Sequence, residues 1–259
     1  MSDDRPTTPP GSGSGGTPAG CITQPCTECV YWTLDHSVDY SGLDSKFVTS
    51  TQIAAVNVGF RLGANLAAGN ITITSIFAWG TLAADVTAAM KTDTITKFKA
   101  KVTGWGNQFS MKITDPICGE KTLPILFRLL WTPDDTTDAA QYTVNLYKTY
   151  PRAGVSGTTI DFGYDEAVTA HSSWELAHEY GHTLCLQDEY FYGGVTAATV
   201  VYKKADGTSE SVTLEPSAAN IMFRHSDTTY LNRFFYFAAI EAQELLRTQS
   251  GRSVVCEIV

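Results

Sequence analysis

Apolar and polar positions alternate with a period of two over residues 53–62 and 71–78, which predicts two strands, joined by the turn Ala68-Gly69-Asn70. Residues 85–91 and 93–105 read as helical. In the second stretch Ile95, Phe98, Val102 and Trp105 recur at a 3-4-3 spacing. Residues 109–113, 123–131, 141–147 and 158–162 then read as strands. A helix follows over 172–186, with Trp174, Ala177, Leu184 and Leu186 on its apolar stripe and Ser172 or Ser173 as its cap. Two short runs, 199–203 and 209–214, flank Ala205-Asp206-Gly207 and predict a hairpin. The last element, over 230–247, is a helix whose Leu231, Phe234, Phe235, Ala238, Leu245 and Leu246 face the core. This order of elements predicts an α/β (α+β) fold in two parts with a cleft between them.

Composition narrows the picture. Residues 1–20 are Pro, Gly, Ser and Thr in the main and read as a flexible tether. The remainder, 21–259, is long enough for a sizeable core. Within it, 21–90 is open to reading as an N-terminal subdomain ahead of a core over 91–259. The formal net charge is −9 and no basic cluster stands out, which argues against a nucleic-acid partner. No apolar run reaches the roughly 18–20 residues that span a bilayer. The N-terminus, Met1-Ser2-Asp3-Asp4-Arg5, lacks the apolar centre of a signal peptide. Six cysteines (Cys21, Cys26, Cys29, Cys118, Cys185 and Cys256) favour disulfides and an oxidising destination, with Cys185 and one other left as thiols.

The candidate chemistry lies in the helix over 172–186. His178-Glu179-Tyr180-Gly181-His182 is H-E-x-x-H. Residues four apart share a helix face, so both imidazoles can ligate one Zn2+ ion. Glu179 then stands beside the metal and takes a proton from a zinc-bound water. That is the minimum needed to hydrolyse a peptide bond. Zinc requires a third protein ligand, and Asp188, six residues after His182, is the leading candidate. Glu215, Glu189 and Glu241 stay open as alternatives. His225 is a second catalytic candidate, placed to stabilise an oxyanion or protonate the leaving amine. Arg224 can do the same or hold a substrate carboxylate. Tyr190 and Tyr192 are candidates for the cleft wall, and His171 for a cap.

The run from His178 to Asp188 resembles the extended metzincin signature H-E-x-x-H-x-x-G-x-x-H, with Asp in the last place. Ala219-Asn220-Ile221-Met222 resembles the metzincin Met-turn. The resemblance covers about residues 90–248. Cys185 departs from it by standing where the signature has glycine. It implies a zincin (metzincin-like) metallopeptidase domain over 21–259: a mixed twisted sheet, an active-site helix, a Met-turn and a C-terminal helix around a cleft. It further implies a protein or peptide substrate. The same region looks like the metallopeptidase effector domains of bacterial type VI secretion spikes. That likeness implies a secreted or delivered toxin, a secretion-machine carrier, a cognate immunity protein and action in a target cell's periplasm. Two alternatives remain, a binding or adaptor module with structural zinc and a cell-wall peptide hydrolase.

Overall fold

The computed structural model describes residues 30–36, 39–42, 56–66, 69–106, 108–150, 152–170, 173–184, 186, 198–203, 208–214, 220–222 and 229–259. Its organising element is the strand β4 (Asn70–Leu82), preceded by β1 (Val30–His36), β2 (Asp39–Gly42) and β3 (Val56–Asn65). Ile71, Ile73, Ser75 and Phe77 of β4 alternate onto one face and are fully buried. Gly69, at φ 75, makes the tight turn that pairs β3 antiparallel to β4. A helix, α1 (Ala88–Gly106), then crosses to β5 (Ser110–Asp115) and β6 (Gly119–Trp131). Next come β7 (Tyr142–Tyr147), β8 (Gly154–Ser156) and β9 (Thr159–Gly163).

Among the described residues the principal sheet has nine strands, in the order β12-β5-β6-β4-β7-β9-β8, with β3 also on β4 and β1 on β3. β12 (Val255–Ile258) is the last element of the chain. β6, β4, β7 and β9 run parallel, while β8 lies antiparallel at the edge beside β9. A smaller sheet, β11-β10-β2, joins the hairpin β10 (Ala198–Lys203) and β11 (Ser209–Leu214) to β2. The architecture is therefore mixed α+β, as the pattern of elements predicts.

The core forms on one face of the principal sheet. Phe98 of α1 meets Phe77, Trp131 and Phe162 from three strands, with ring centroids 5.3–5.7 Å apart. β6 alternates cleanly, with Leu123, Ile125, Phe127, Leu129 and Trp131 buried and Pro124, Leu126 and Arg128 exposed. The helix α2 (Trp174–Thr183) follows β9 through a π-helical turn, Tyr164–Thr169. α3 (Tyr236–Ser250) follows a 3-10 turn, Asn232–Phe235, whose Phe235 packs on Phe109 and Phe127.

Several expectations need correction. The two helices read over 85–105 are one, α1. The final helix begins at Tyr236 rather than residue 230. β1, β2, β8 and β12 are strands that the pattern did not reveal. Among the described residues no helix is long and apolar enough to cross a membrane. Cys118 is disulfide-bonded, and Cys256 is a buried free thiol. Cys21, Cys26, Cys29 and Cys185 lie outside the described residues, as does the proposed tether.

Candidate metal centre

Ser173 starts α2 in the left-handed region, at φ 57. This costs a non-glycine residue about 1 kcal/mol. Its hydroxyl does not cap the helix as expected. It donates to the Val168 carbonyl at 2.5 Å, while its N–H donates to Ala170 O. The π-helical turn and α2 are thereby locked together at their junction.

One helical turn further on, His178 and His182 face the same side. Their ring centroids are 4.8 Å apart and their planes cross at 85°. Trp174 packs edge-on against His178 at 5.1 Å. His178 and Glu179 are buried, 6% and 5% exposed, whereas the His182 side chain is 20% exposed. Each imidazole donates Nδ1–H to a main-chain carbonyl, His178 to Ile221 at 2.8 Å and His182 to Leu186 at 2.7 Å. A carbonyl only accepts, so Nδ1 carries a proton, and it is Nε2 that a neutral ring so held offers to a metal. This is the ring orientation that metal-ligating histidines take from their outer contacts. Glu179 Oε2 lies 4.0 Å from His182 Nε2. The ligand atoms of His178, Glu179 and His182 all lie within 4.8 Å of one another, so this group can hold a metal ion.

Two loops deliver those carbonyls. After α2 the chain turns back: Leu184 N–H and Leu186 N–H both donate to Gly181 O, at 2.9 and 3.1 Å. A contact from five residues back closes the helix in the manner of a Schellman turn. The second loop carries the segment read as a Met-turn. Asn220, fully buried, accepts from Met222 N–H at 2.9 Å, and Ile221 N–H donates to Thr229 O at 2.9 Å. Met222 then lies against Gly181, between the two histidines in sequence. A Cβ at position 181 would stand 2.6 Å from Met222 Sδ.

The structure thus brings together His178, Glu179 and His182, with Met222 packed on the same helix. Asp188, Glu189, Glu215, Arg224, His225, His171, Tyr190 and Tyr192 lie outside the described residues. Glu241 sits on α3 and is not one of the grouped ligands. The sequence reading missed the Ile221 and Leu186 carbonyls and the role of Gly181. Only Gly181 left a signal, since a glycine inside a helix costs about 1 kcal/mol and so marks a close approach. Compared with known proteins, the chain matches no family model, no curated protein and no solved structure.

Proposed function

We propose that the chain is a zincin-type zinc peptidase that hydrolyses peptide bonds within a protein substrate. The observation that carries this reading is the pair of histidines on α2, each fixed through Nδ1 with its Nε2 turned to a shared position beside Glu179. Neutral nitrogens and a carboxylate suit Zn2+. His178 and His182 hold the ion, and Asp188 supplies the third ligand. Bound zinc supplies a Lewis acid that polarises the scissile carbonyl and acidifies water. Glu179 accepts the proton of the attacking water and passes it to the leaving amine. His225 assists at the oxyanion. β8, the outermost strand on that side of the sheet among the described residues and packed against α2, supports the substrate assignment, because an extended peptide can add to a strand edge.

The disulfide at Cys118 supports action in an oxidising compartment. We take the protein to be a delivered bacterial effector, brought by a secretion-machine carrier and neutralised by a cognate immunity protein.

The test is metal content with turnover. Wild type binds one zinc and cleaves unfolded casein in a chelator-sensitive manner. Glu179→Gln keeps the zinc and loses cleavage by about 10²-fold or more. Zinc binding without cleavage in wild type would point to the adaptor reading instead. Asp188→Ala loses stoichiometric zinc; if it keeps the ion while Glu215→Ala loses it, the third ligand is Glu215. Periplasmic expression harms a bacterial host with wild type and not with Glu179→Gln. Harmlessness in every compartment sinks the effector reading.

A further inference from the structure

Tyr180 stands two residues from each of His178 and His182. At about 100° per residue, its side chain leaves the opposite face of α2. Its ring is fully buried against Phe98 and Phe127. Its hydroxyl shares a 3.0 Å hydrogen bond with Ser75 Oγ, in the fully buried stretch of β4. At the far end of the helix, Tyr142 of β7 donates its hydroxyl to Thr183 O at 3.0 Å. That carbonyl belongs to the last turn, whose acceptors have no partner within the helix. Thr183 adjoins His182. Both bonds are buried, and they join α2 to residues 105 and 41 positions away.

We propose that Tyr180–Ser75 and Tyr142–Thr183 are positioning contacts that fix the depth and roll of α2, so that His178 and His182 meet one ion. The proposal rests on the metal-centre reading above. α2 has only ten residues and no side-chain cap. Helices so short take their stability from tertiary packing, so the placement of α2 must come from the sheet. Apolar contacts through Leu176 and Ala177 hold the helix down but lack direction, and a packed helix can roll on them. A buried hydroxyl pair is directional, because misalignment leaves polar atoms without partners in the core. A ligand constellation tolerates displacements of only about 0.5 Å. One tether acts at the middle of the span from His178 to His182 and the other just past its end, which restrains sliding and rolling together.

The experiment is a zinc titration against a competing chelator, with the visible spectrum of the Co2+ form as a readout of ligand geometry. Tyr142→Phe and Tyr180→Phe each weaken zinc about ten-fold and shift the Co2+ bands, with an unchanged far-ultraviolet spectrum. Adding Ser75→Ala to Tyr180→Phe costs nothing more, because the two groups form one contact. Tyr164→Phe is the control. It removes a 2.8 Å bond to Asp93 in the same domain, and lowers the melting temperature while leaving zinc affinity intact. Should a phenylalanine variant fail to fold, Ser75→Ala weakens zinc and Ser75→Thr, keeping a hydroxyl, restores it. Wild-type affinity in the phenylalanine variants, or equal affinity in the two serine variants, overturns the proposal and leaves the metal centre standing. A wild type that binds no zinc overturns both.

Discussion

A methyl group at position 181 would lie 2.6 Å from Met222 Sδ, 3.3 Å from its Cε and 3.4 Å from Leu186 Cδ1. Met222 is fully buried, so its thioether cannot swing into solvent. Alanine in a helix interior gains about 1 kcal/mol over glycine. Overpacking costs about 1–3 kcal/mol. Displaced Met222 would also move the adjoining Ile221 carbonyl off His178 Nδ1. Gly181→Ala should therefore lose about 1 kcal/mol net and weaken zinc about ten-fold, as read by thermal unfolding and zinc titration. A more stable variant with intact affinity would show that Met222 yields freely. At this scale the grouping of His178, Glu179 and His182 was legible, because a spacing of four decides which side chains share a helix face. The contacts that orient them were not, because the Ile221 and Leu186 acceptors are main-chain atoms and any residue type carries one. Ser173 shows the opposite failure: the residue type suits a cap, and the local backbone sends its hydroxyl to Val168 instead.

Among the elements, α1 runs straight through the Thr92-Asp93 step that reads as a break. Thr92, Thr94 and Thr96 each donate a hydroxyl to the carbonyl four residues back, which lets polar residues sit inside a helix. Asp93 pairs with Lys97 one turn on and receives Tyr164 OH. β8 and β12 escaped because they are three and four residues long. Their extended form comes from pairing with β9 and β5, not from a period of their own. α3 carries a pH dependence of its own. Burial, and then repulsion from Glu244 one turn away, push the Glu241 carboxyl up to about 7, from an ordinary value near 4.3. A raised acid binds its proton more tightly folded than unfolded. Its favourable contribution is complete below about pH 4.3 and is lost as pH rises through 7. Glu241→Gln should stabilise the protein at pH 8 by on the order of 1 kcal/mol, after discounting for solvent screening, and should have no effect at pH 4. Urea unfolding at the two pH values checks it; equal gains at both would mean that charge on Glu241 is not the cause.

For the whole molecule, the strand order sets the strand that closes the sheet apart from the strand that leads to α2. β12 and β5 lie at one end of the principal sheet, while β9, which leads toward α2, lies near the other. At the β12 end Arg252 reaches back 137 residues to Asp115, its Nε and Nη2 at 2.9 and 2.7 Å from Oδ2. The other carboxylate oxygen accepts N–H from Ile117 and Cys118. Burial alone would raise the Asp115 pKa; the Arg252 bond and the two main-chain donors outweigh it and hold the carboxyl below its ordinary range. The stabilisation from this lowered acid is present above about pH 3.9 and is lost as pH falls through the folded value. Arg252→Met strands a buried carboxylate and should cost about 3 kcal/mol at pH 7. Without Arg252, burial favours the protonated acid, so the deficit should shrink as pH falls toward 4. Denaturant unfolding at pH 7 and pH 4 measures both effects. Zinc affinity of the folded variant should match wild type, because the buried hydroxyl bonds that hold α2 to the sheet come from β4 and β7. If affinity falls along with stability, the metal centre draws on the closure of the entire sheet, and the local tethers at Tyr142 and Tyr180 do not suffice to place the helix.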